Sequence, residues 1–521
     1  MTYMMTSRVR RCAWYVLMIA LLPTFRGRAQ TAASSAVVLS YKPYSETEIA
    51  AAIQQPLTLQ DCVGISLCKN ISLRLAEGDL GKAEASHAGS HGAFLPVFSI
   101  TGSRQNTLNQ VLQDDSTEIN FGRIIDDKFL NPTNVTGKVE WFFPTGATVE
   151  FSNDFLRETT EFRSPFLKPE DAKLEKNDNR VYSVILSQPL LRGAGPKIAR
   201  SKVVSTGYEE QIQKQALQQQ RLQAVFLVKR SYFDALAKRE LMKVNEAAVL
   251  SDSVLVLASE ALIQAKLASR RDVLSAQIRY GDDKAALIKA QNDFELALDA
   301  LKDVMGLPIE TPIRLDSAGL SYKPTTFDER ILLNAALQNS PQLQASNIAV
   351  QRNRLARSVA KNAVLPQLDL IASYTSDRTQ DALLNQDLSR SGGWQASVNL
   401  SYAFLSREAA GEAENAEISV RQQEDRLLAL KRQIIVDIRD IMRGVYTARG
   451  EIGAIEQSIQ AAQDKLSFSQ TMFNLGRASN FDVTDAQEFL LKAQTQYFRK
   501  LAEYHTQLAL LESLTSQTIL P

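Results

Sequence analysis

His87 and His91 stand four residues apart, a spacing that on a helix sets two imidazoles on one face and can chelate a metal. The glutamate of an H-E-x-x-H site is missing, and Gly89 and Gly92 weaken any helix that would hold the pair. Both histidines therefore read as structural side chains. "RGAGPK", Arg192 to Lys197, follows a strand-like stretch and opens a helical one, where a glycine loop could cradle phosphate. Ile198 occupies the place of the third glycine, so the stretch reads as a hinge from strand to helix. Cys62 and Cys68, six apart on a helix, are too distant for a disulfide and read as small buried apolar groups. No nucleophile stands beside a base and an orienting partner. The expectation is no enzyme, no cofactor and no metal.

The acidic residues are more informative, because one pattern of them occurs twice. "LGRASNFDVTDAQ", Leu475 to Gln487, echoes "KLASRRDVLSAQ", Lys266 to Gln277, at an offset of 210. Asp482 falls on Asp272, Val483 on Val273, and Ala486-Gln487 on Ala276-Gln277. Read locally, these aspartates are N-caps of the returning helices.

The elements around these sites are unusual. Backwards from Phe473, Leu466, Ile459, Ile452, Val445 and Ile438 recur every seven residues, and Ile263, Val256, Val249, Met242, Ala235 and Val228 do so at the same offset. That period predicts long helices packed as coiled coils. Neither Lys197 to Leu307 nor Arg407 to Asn474 contains proline, so helices of about 100 Å are allowed. A second repeat, at an offset of 270, matches Leu67 with Leu337, Leu73 with Leu343 and Leu95-Pro96 with Leu365-Pro366. Thr58 and Asp328 share that offset and suit N-caps. "LSYKP" itself appears twice, at Leu39–Pro43 and Leu320–Pro324.

Between the repeats the period falls from seven to two. Leu368, Leu370, Ala372 and Tyr374 alternate with polar neighbours, as do Trp394, Ala396, Val398, Leu400 and Tyr402. Val149, Phe151 and Phe155 alternate in the first half, and "YSVILSQPLL", Tyr182 to Leu191, continues the manner. Segments of about ten residues, apolar on one face and aromatic near the ends, suit a membrane β-barrel; strands of a soluble sandwich alternate equally well.

The start of the chain bears on that choice. Arg8, Arg10 and Arg11 precede an apolar run from Cys12 to Leu22, with Gly27 and Ala29 where a signal peptidase cuts. Removing residues 1–29 takes five of the 59 basic residues and no acid, leaving 54 against 58, a net charge of −4. That balance disfavours a nucleic-acid partner. No later apolar run approaches the roughly 20 residues of a membrane helix. The chain is expected to be exported, with no helical anchor.

The order signal, helix, "LP", strands, long helical hairpin, "DV..AQ", then all of it again, resembles the TolC-like outer membrane efflux proteins, from about Leu57 to Thr515. The resemblance implies a mainly α chain with membrane β: a tandem-duplicated protomer in which a long α-helical coiled-coil barrel joins strands of a shared trimeric β-barrel. Residues 30–56 are expected as an extended linker and residues 57–307 as the first repeat, with strands at about 97–105, 138–155 and 180–189 and a helical hairpin at about 196–306. Residues 308–326 are a second linker, and 327–521 the second repeat, with strands at 367–376 and 394–404 and a hairpin at 407–516. Residues 106–134 and 156–179 are expected as outward loops. The hairpin at 138–155 either adds two strands or stands outside the membrane.

The family gives four strands per protomer to one barrel, and its tunnel meets a periplasmic adaptor and an inner-membrane pump. The resemblance therefore implies a homotrimer in outer membrane lipid, with a helical domain in the periplasm. Asp482 and Asp485 match the family's aperture aspartates, and Asp272 the first-half aspartate linked to the gate. Ser269, Arg270, Arg271, Arg477 and Ser479 match the tips that face the adaptor. The gate arginine of the best-known member falls on Ala478, with Arg477 one place earlier, and its gate tyrosine on Phe473. Three readings stand: an exit duct for small molecules, the duct of a type I protein secretion system, and an exported coiled-coil scaffold without a pore, which the alternating strands disfavour.

Overall fold

A computed structural model of the chain describes residues 41–113, 124–163, 173–264, 269–316, 320–404, 407–475 and 477–517. The expected export signal lies outside the described residues. Three helices open the described chain: α1 (Glu46–Ile53), α2 (Leu59–Lys69) and α3 (Ile71–Ser90). The first corrects the expected extended linker, since Ser45 and Glu48 form a capping box and Ile49 is buried in the core. After six strands come the first long helix α4 (Ser201–Gln264) and its return α5 (Arg270–Met305). The second half supplies α6 (Glu329–Asn339), α7 (Pro341–Ala363), two strands, α8 (Arg407–Asn474) and α9 (Asn480–Thr515). Thr58 caps α2, its hydroxyl accepting from the Asp61 N–H, and Asp328 caps α6 by accepting from the Arg330 N–H. Asn70 and Ser340, also 270 apart, hold extended backbone between α2 and α3 and between α6 and α7, and each caps the second helix of its pair.

The 64 residues of α4 and 68 of α8 make each about 100 Å long. None of the described helices is long and apolar enough to cross a membrane. The seven-residue stripe faces inward where the short helices wedge against the long ones. Val228, Ala235, Ile438, Val445 and Ile452 are buried there beside Leu501, Tyr504 and Leu508 of α9. The stretch between the halves docks onto the same core. Leu57 donates to the Arg314 carbonyl and accepts from Asp316, while the buried Tyr504 hydroxyl donates to the Lys323 carbonyl at 2.9 Å. Gly306, at φ 73°, ends α5 so close to the Lys69 carbonyl that a Cβ would sit 2.4 Å from its oxygen, which only glycine allows.

The strands form one antiparallel sheet: β1 (Val97–Arg104), β2 (Thr107–Gln113), β3 (Ile124–Leu130), β4 (Thr133–Phe142), β5 (Thr148–Arg163), β6 (Lys173–Pro189), β7 (Gln367–Asp381) and β8 (Gln386–Ser401). The main order is β1-β4-β5-β6-β7-β8, with β2 paired to β3, and β3 to the far end of β5. Two expectations meet a correction here. The segments expected as outward loops are largely strand: β2, β3 and the start of β4 lie within 106–134, and β5 and β6 run on to Arg163 and back from Lys173. Their polarity reads as a loop signal, yet a strand pair beyond an apolar band keeps its ladder with polar side chains, as Arg157 does with Asp178 at 2.7 Å. The hairpin left open by the sequence is in the sheet, with β4 beside β1 and β5 beside β6. It turns at Phe143–Ala147, where Gly146 takes φ 93°, and a Cβ there would lie 2.7 Å from the Gly193 carbonyl oxygen of the next turn. Gly193, Gly195 and Pro196 make "RGAGPK" the hinge from β6 into the helices.

Candidate functional site

The candidate site lies where each long helix turns back. Ser269 precedes α5 and Ser479 precedes α9, so both serines occupy N-cap positions with an aspartate three places on. The Asp482 carboxylate accepts from the Ser479 N–H and hydroxyl, both at 2.8 Å, and the Ser479 hydroxyl accepts from the Asp482 N–H at 3.4 Å. Asp272 repeats the arrangement, accepting from the Ser269 N–H at 3.0 Å and hydroxyl at 2.8 Å. Hydrogen bonds from the serine hydroxyl and backbone hold both carboxyls below the usual carboxylate range. Asp485 sits one turn further and pairs with Lys465 of α8 at 2.7 Å, and that ammonium also lies 4.1 Å from the Phe489 ring centre. The geometry thus makes Asp272 and Asp482 the capping-box partners of Ser269 and Ser479, and Asp485 one half of an ion pair.

Ser269, Arg270, Arg271, Arg477 and Ser479 are all exposed, and so are the apolar Leu475 and Phe481 between them. The two tips are tied together. The Asn480 side chain, itself buried, donates to the Asp272 carbonyl at 2.9 Å, and the Gln487 amide donates to the Ser251 hydroxyl on α4 at 2.7 Å. Phe473 packs with Leu255 and Val483 in a small apolar cluster, a setting that gives a phenolic hydroxyl nothing to do. At the other end of the helices, His87 binds Glu210 through Nδ1 at 2.5 Å, with the His91 ring 5.2 Å away.

Sequence reasoning missed a buried acidic group on the same hairpins. Asp252 of α4 is 2% exposed, with Arg279 at 4.0 Å; Arg279 also reaches Asp283 at 3.3 Å and Glu488 at 3.6 Å. The available signal was a carboxylate on the face that carries Leu255 and Ser259. Burial pushes the Asp252 carboxyl up to about 7, with the neighbouring Asp283 carboxyl adding to it. A carboxyl whose folded value exceeds its unfolded one binds its proton more tightly in the folded chain. Stability contributed here therefore falls as pH rises from 3.8 through about 7. Asp252→Asn should flatten that dependence: thermal unfolding followed by helical circular dichroism should drop a few degrees between about pH 5 and about pH 8 in the native protein and much less in the variant. Parallel curves would mean that Asp252 does not titrate in this window.

The family profile described as "Outer membrane efflux protein" matches residues 332–517, the stretch holding α6 to α9 with β7 and β8. Similar solved structures include the Campylobacter jejuni CmeC outer membrane channel, with a TM-score of 0.63 at 15% identity over 88% of this chain and 85% of that one. VceC from Vibrio cholerae follows at 0.62 and 16% identity, covering 88% and 96%. The chain has the fold of the TolC-like outer membrane efflux proteins. Outer membrane protein TolC of Vibrio cholerae is 23% identical over 271 residues, 52% of this chain and 62% of that TolC. Proteases secretion protein PrtF of Dickeya chrysanthemi is 22% identical over 60% of this chain and 67% of its own length. In the TolC-like fold of this chain, the capping-box aspartates and exposed arginines lie at the hairpin tips, far along the helices from the sheet.

Proposed function

We propose that the protein is the outer membrane channel of a tripartite export system, a trimeric exit duct through outer membrane and periplasm for small molecules such as drugs or toxic compounds. One observation carries the reading: a single chain joins a sheet with exposed apolar rows to helices about 100 Å long, and among the described residues both edges of the main strand path, β1 and β8, are open. Open edges cannot persist in lipid, so copies of the chain must complete the wall. The sheet belongs in the outer membrane, and the helices extend into the periplasm. Leu250, Val254 and Leu257 expose an apolar stripe on α4, which suits packing against a neighbouring copy. The PrtF match supports a second reading, in which the same duct passes secreted protein.

The tips meet a periplasmic adaptor protein, which links the duct to an inner-membrane pump. Exposed Arg270, Arg271 and Arg477 beside Leu475 and Phe481 suit a partner offering carboxylates or carbonyls next to apolar groups. The mouth is acidic. Three copies of Asp482 and Asp485 around a constriction concentrate negative potential, in part offset by Lys465.

Purified protein should run as a trimer and conduct in planar bilayers with a preference for cations. Asp482→Asn with Asp485→Asn should lower that preference several-fold at low salt and abolish block by trivalent cations added at the periplasmic side. Unchanged selectivity and block would leave the aspartates as caps and ion-pair partners only. Cysteines at Ser269 and Ser479 should cross-link to the cognate adaptor in cells, and failure of both while loop controls behave alike would remove the tips as the docking surface.

A further inference from the structure

The inserted hairpin β4–β5 bears on the size of the barrel. One lateral row crosses all six strands of the main sheet: Phe98 faces Val139, then Phe151, Val184, Tyr374 and Trp394 in register. All six are apolar or aromatic, and five of them are among the exposed large hydrophobic residues. The next row toward the turns reads Trp141, Val149, Leu186, Ala372 and Ala396. The opposite face of the same hairpin is polar. Lys138 bridges Glu140 at 3.2 Å and Glu150 at 2.9 Å, and the Ser152 and Ser183 hydroxyls bond at 2.8 Å.

Alternation of this kind, apolar outward and polar inward, marks a strand that crosses lipid with water on its other side. Were the hairpin held in water above the membrane, Val135, Trp141 and Phe151 would keep their exposed apolar area hydrated, which is unfavourable. At the periplasmic turn, Trp141 donates its indole N–H to the Phe94 carbonyl at 2.9 Å and packs 4.6 Å from Phe143, as an interfacial aromatic girdle does. Among the described residues, β1 pairs only with β4 and β8 only with β7 along the main path. The hairpin is therefore interior to the sheet, and no edge could shed it without breaking both neighbours.

We propose that three copies close these sheets edge to edge, β1 of one copy against β8 of the next, into a barrel of 18 strands to which β4 and β5 contribute six. The proposal rests on the trimeric duct reading and adds to it. A barrel's diameter grows roughly linearly with strand number, so this outer-membrane pore is about one and a half times as wide as one made from four strands per copy. The hairpin widens the exit without altering the helical tunnel.

Two measurements test this on the full-length protein. In the first, cysteine pairs are introduced at Phe98 with Val139, and at Phe151 with Val184, in cells carrying the protein in the outer membrane. Both pairs should oxidise within one chain, as should a control pair at Val184 with Tyr374. Oxidation of the control alone would place the hairpin outside the wall and overturn the proposal. In the second, the trimer in lipid nanodiscs is imaged by electron cryomicroscopy, and a cross-section at mid-membrane should show 18 strands. A trimer with 12 strands overturns the wide barrel and leaves the duct reading standing, whereas a particle that is not trimeric overturns the duct reading itself. A variant whose only tryptophan is Trp141, made by Trp14→Phe and Trp394→Phe, gives an independent readout. Brominated lipid should quench its fluorescence severalfold; unquenched emission places the hairpin in the lumen or in water and rejects the proposal.

Discussion

Ile452→Asp is expected to abolish the folded helical domain, while Ile452→Leu leaves it nearly unchanged. Ile452 has no exposed surface and sits in the core with Val445, Ala448 and Leu501. Removing a buried Ile side chain costs about 2–5 kcal/mol through lost burial and the cavity left behind. A carboxylate at the same place adds an unpaired charge, or the work of protonating it, for several kcal/mol more. That sum is comparable to the whole stability of an ordinary domain, about 5–15 kcal/mol. Leucine conserves volume and should cost less than about 1.5 kcal/mol. The check is trimer yield from membranes together with helical melting of whatever is recovered. Equal yield and melting temperature for the two variants would show that the seven-residue stripe does not face the core.

The second large effect concerns a charge pair that no local pattern announces. Lys229 of α4 is fully buried and bonds Glu512 of α9, which is 2% exposed, with the Tyr41 ring 5.1 Å from the ammonium. Glu512→Ala should destabilise the domain by about 3–5 kcal/mol, since it strands a buried ammonium whose desolvation is no longer compensated. Lys229→Met combined with Glu512→Leu should recover most of the loss, because it removes both desolvation penalties and keeps the volume filled. A double variant as unstable as the single one would mean that the pair is required for more than charge compensation. Melting temperature and resistance to proteolysis of the three proteins decide between these outcomes.

Local physics made a large part of the molecule legible in its sequence. A period of seven named the helices and their inward stripe, because a repeating apolar face must meet another. A period of two named β5 to β8 in the same manner. A capping role for Asp272 and Asp482 was legible because it needs only one helical turn; the serine partners Ser269 and Ser479 came from the structure. The repeat offsets placed equivalent caps at Thr58 and Asp328 without any knowledge of their neighbours.

What remained to the tertiary structure was every choice of partner. Alternation says which face of Lys138 to Phe155 is apolar, not whether β1 and β6 stand beside it; β1 pairs with β4 past the intervening β2 and β3, and β6 is the strand that follows β5. Polar composition at 156–163 and 173–179 hid two strand extensions, since a ladder is held by backbone groups that every residue carries alike. The ion-pair partner of Asp485 was not legible, because Lys465 of α8, 20 residues away, reaches it only once the two helices pack. Asp252 with Asp283, and Lys229 with Glu512, lie on separate helices whose register is set by core packing. Sequence periodicity records the direction in which a side chain faces, whereas its pKa, pairing and function depend on what stands opposite. The penalty for closing a longer loop grows only logarithmically, so distance along the chain gives almost no indication of which segment that will be.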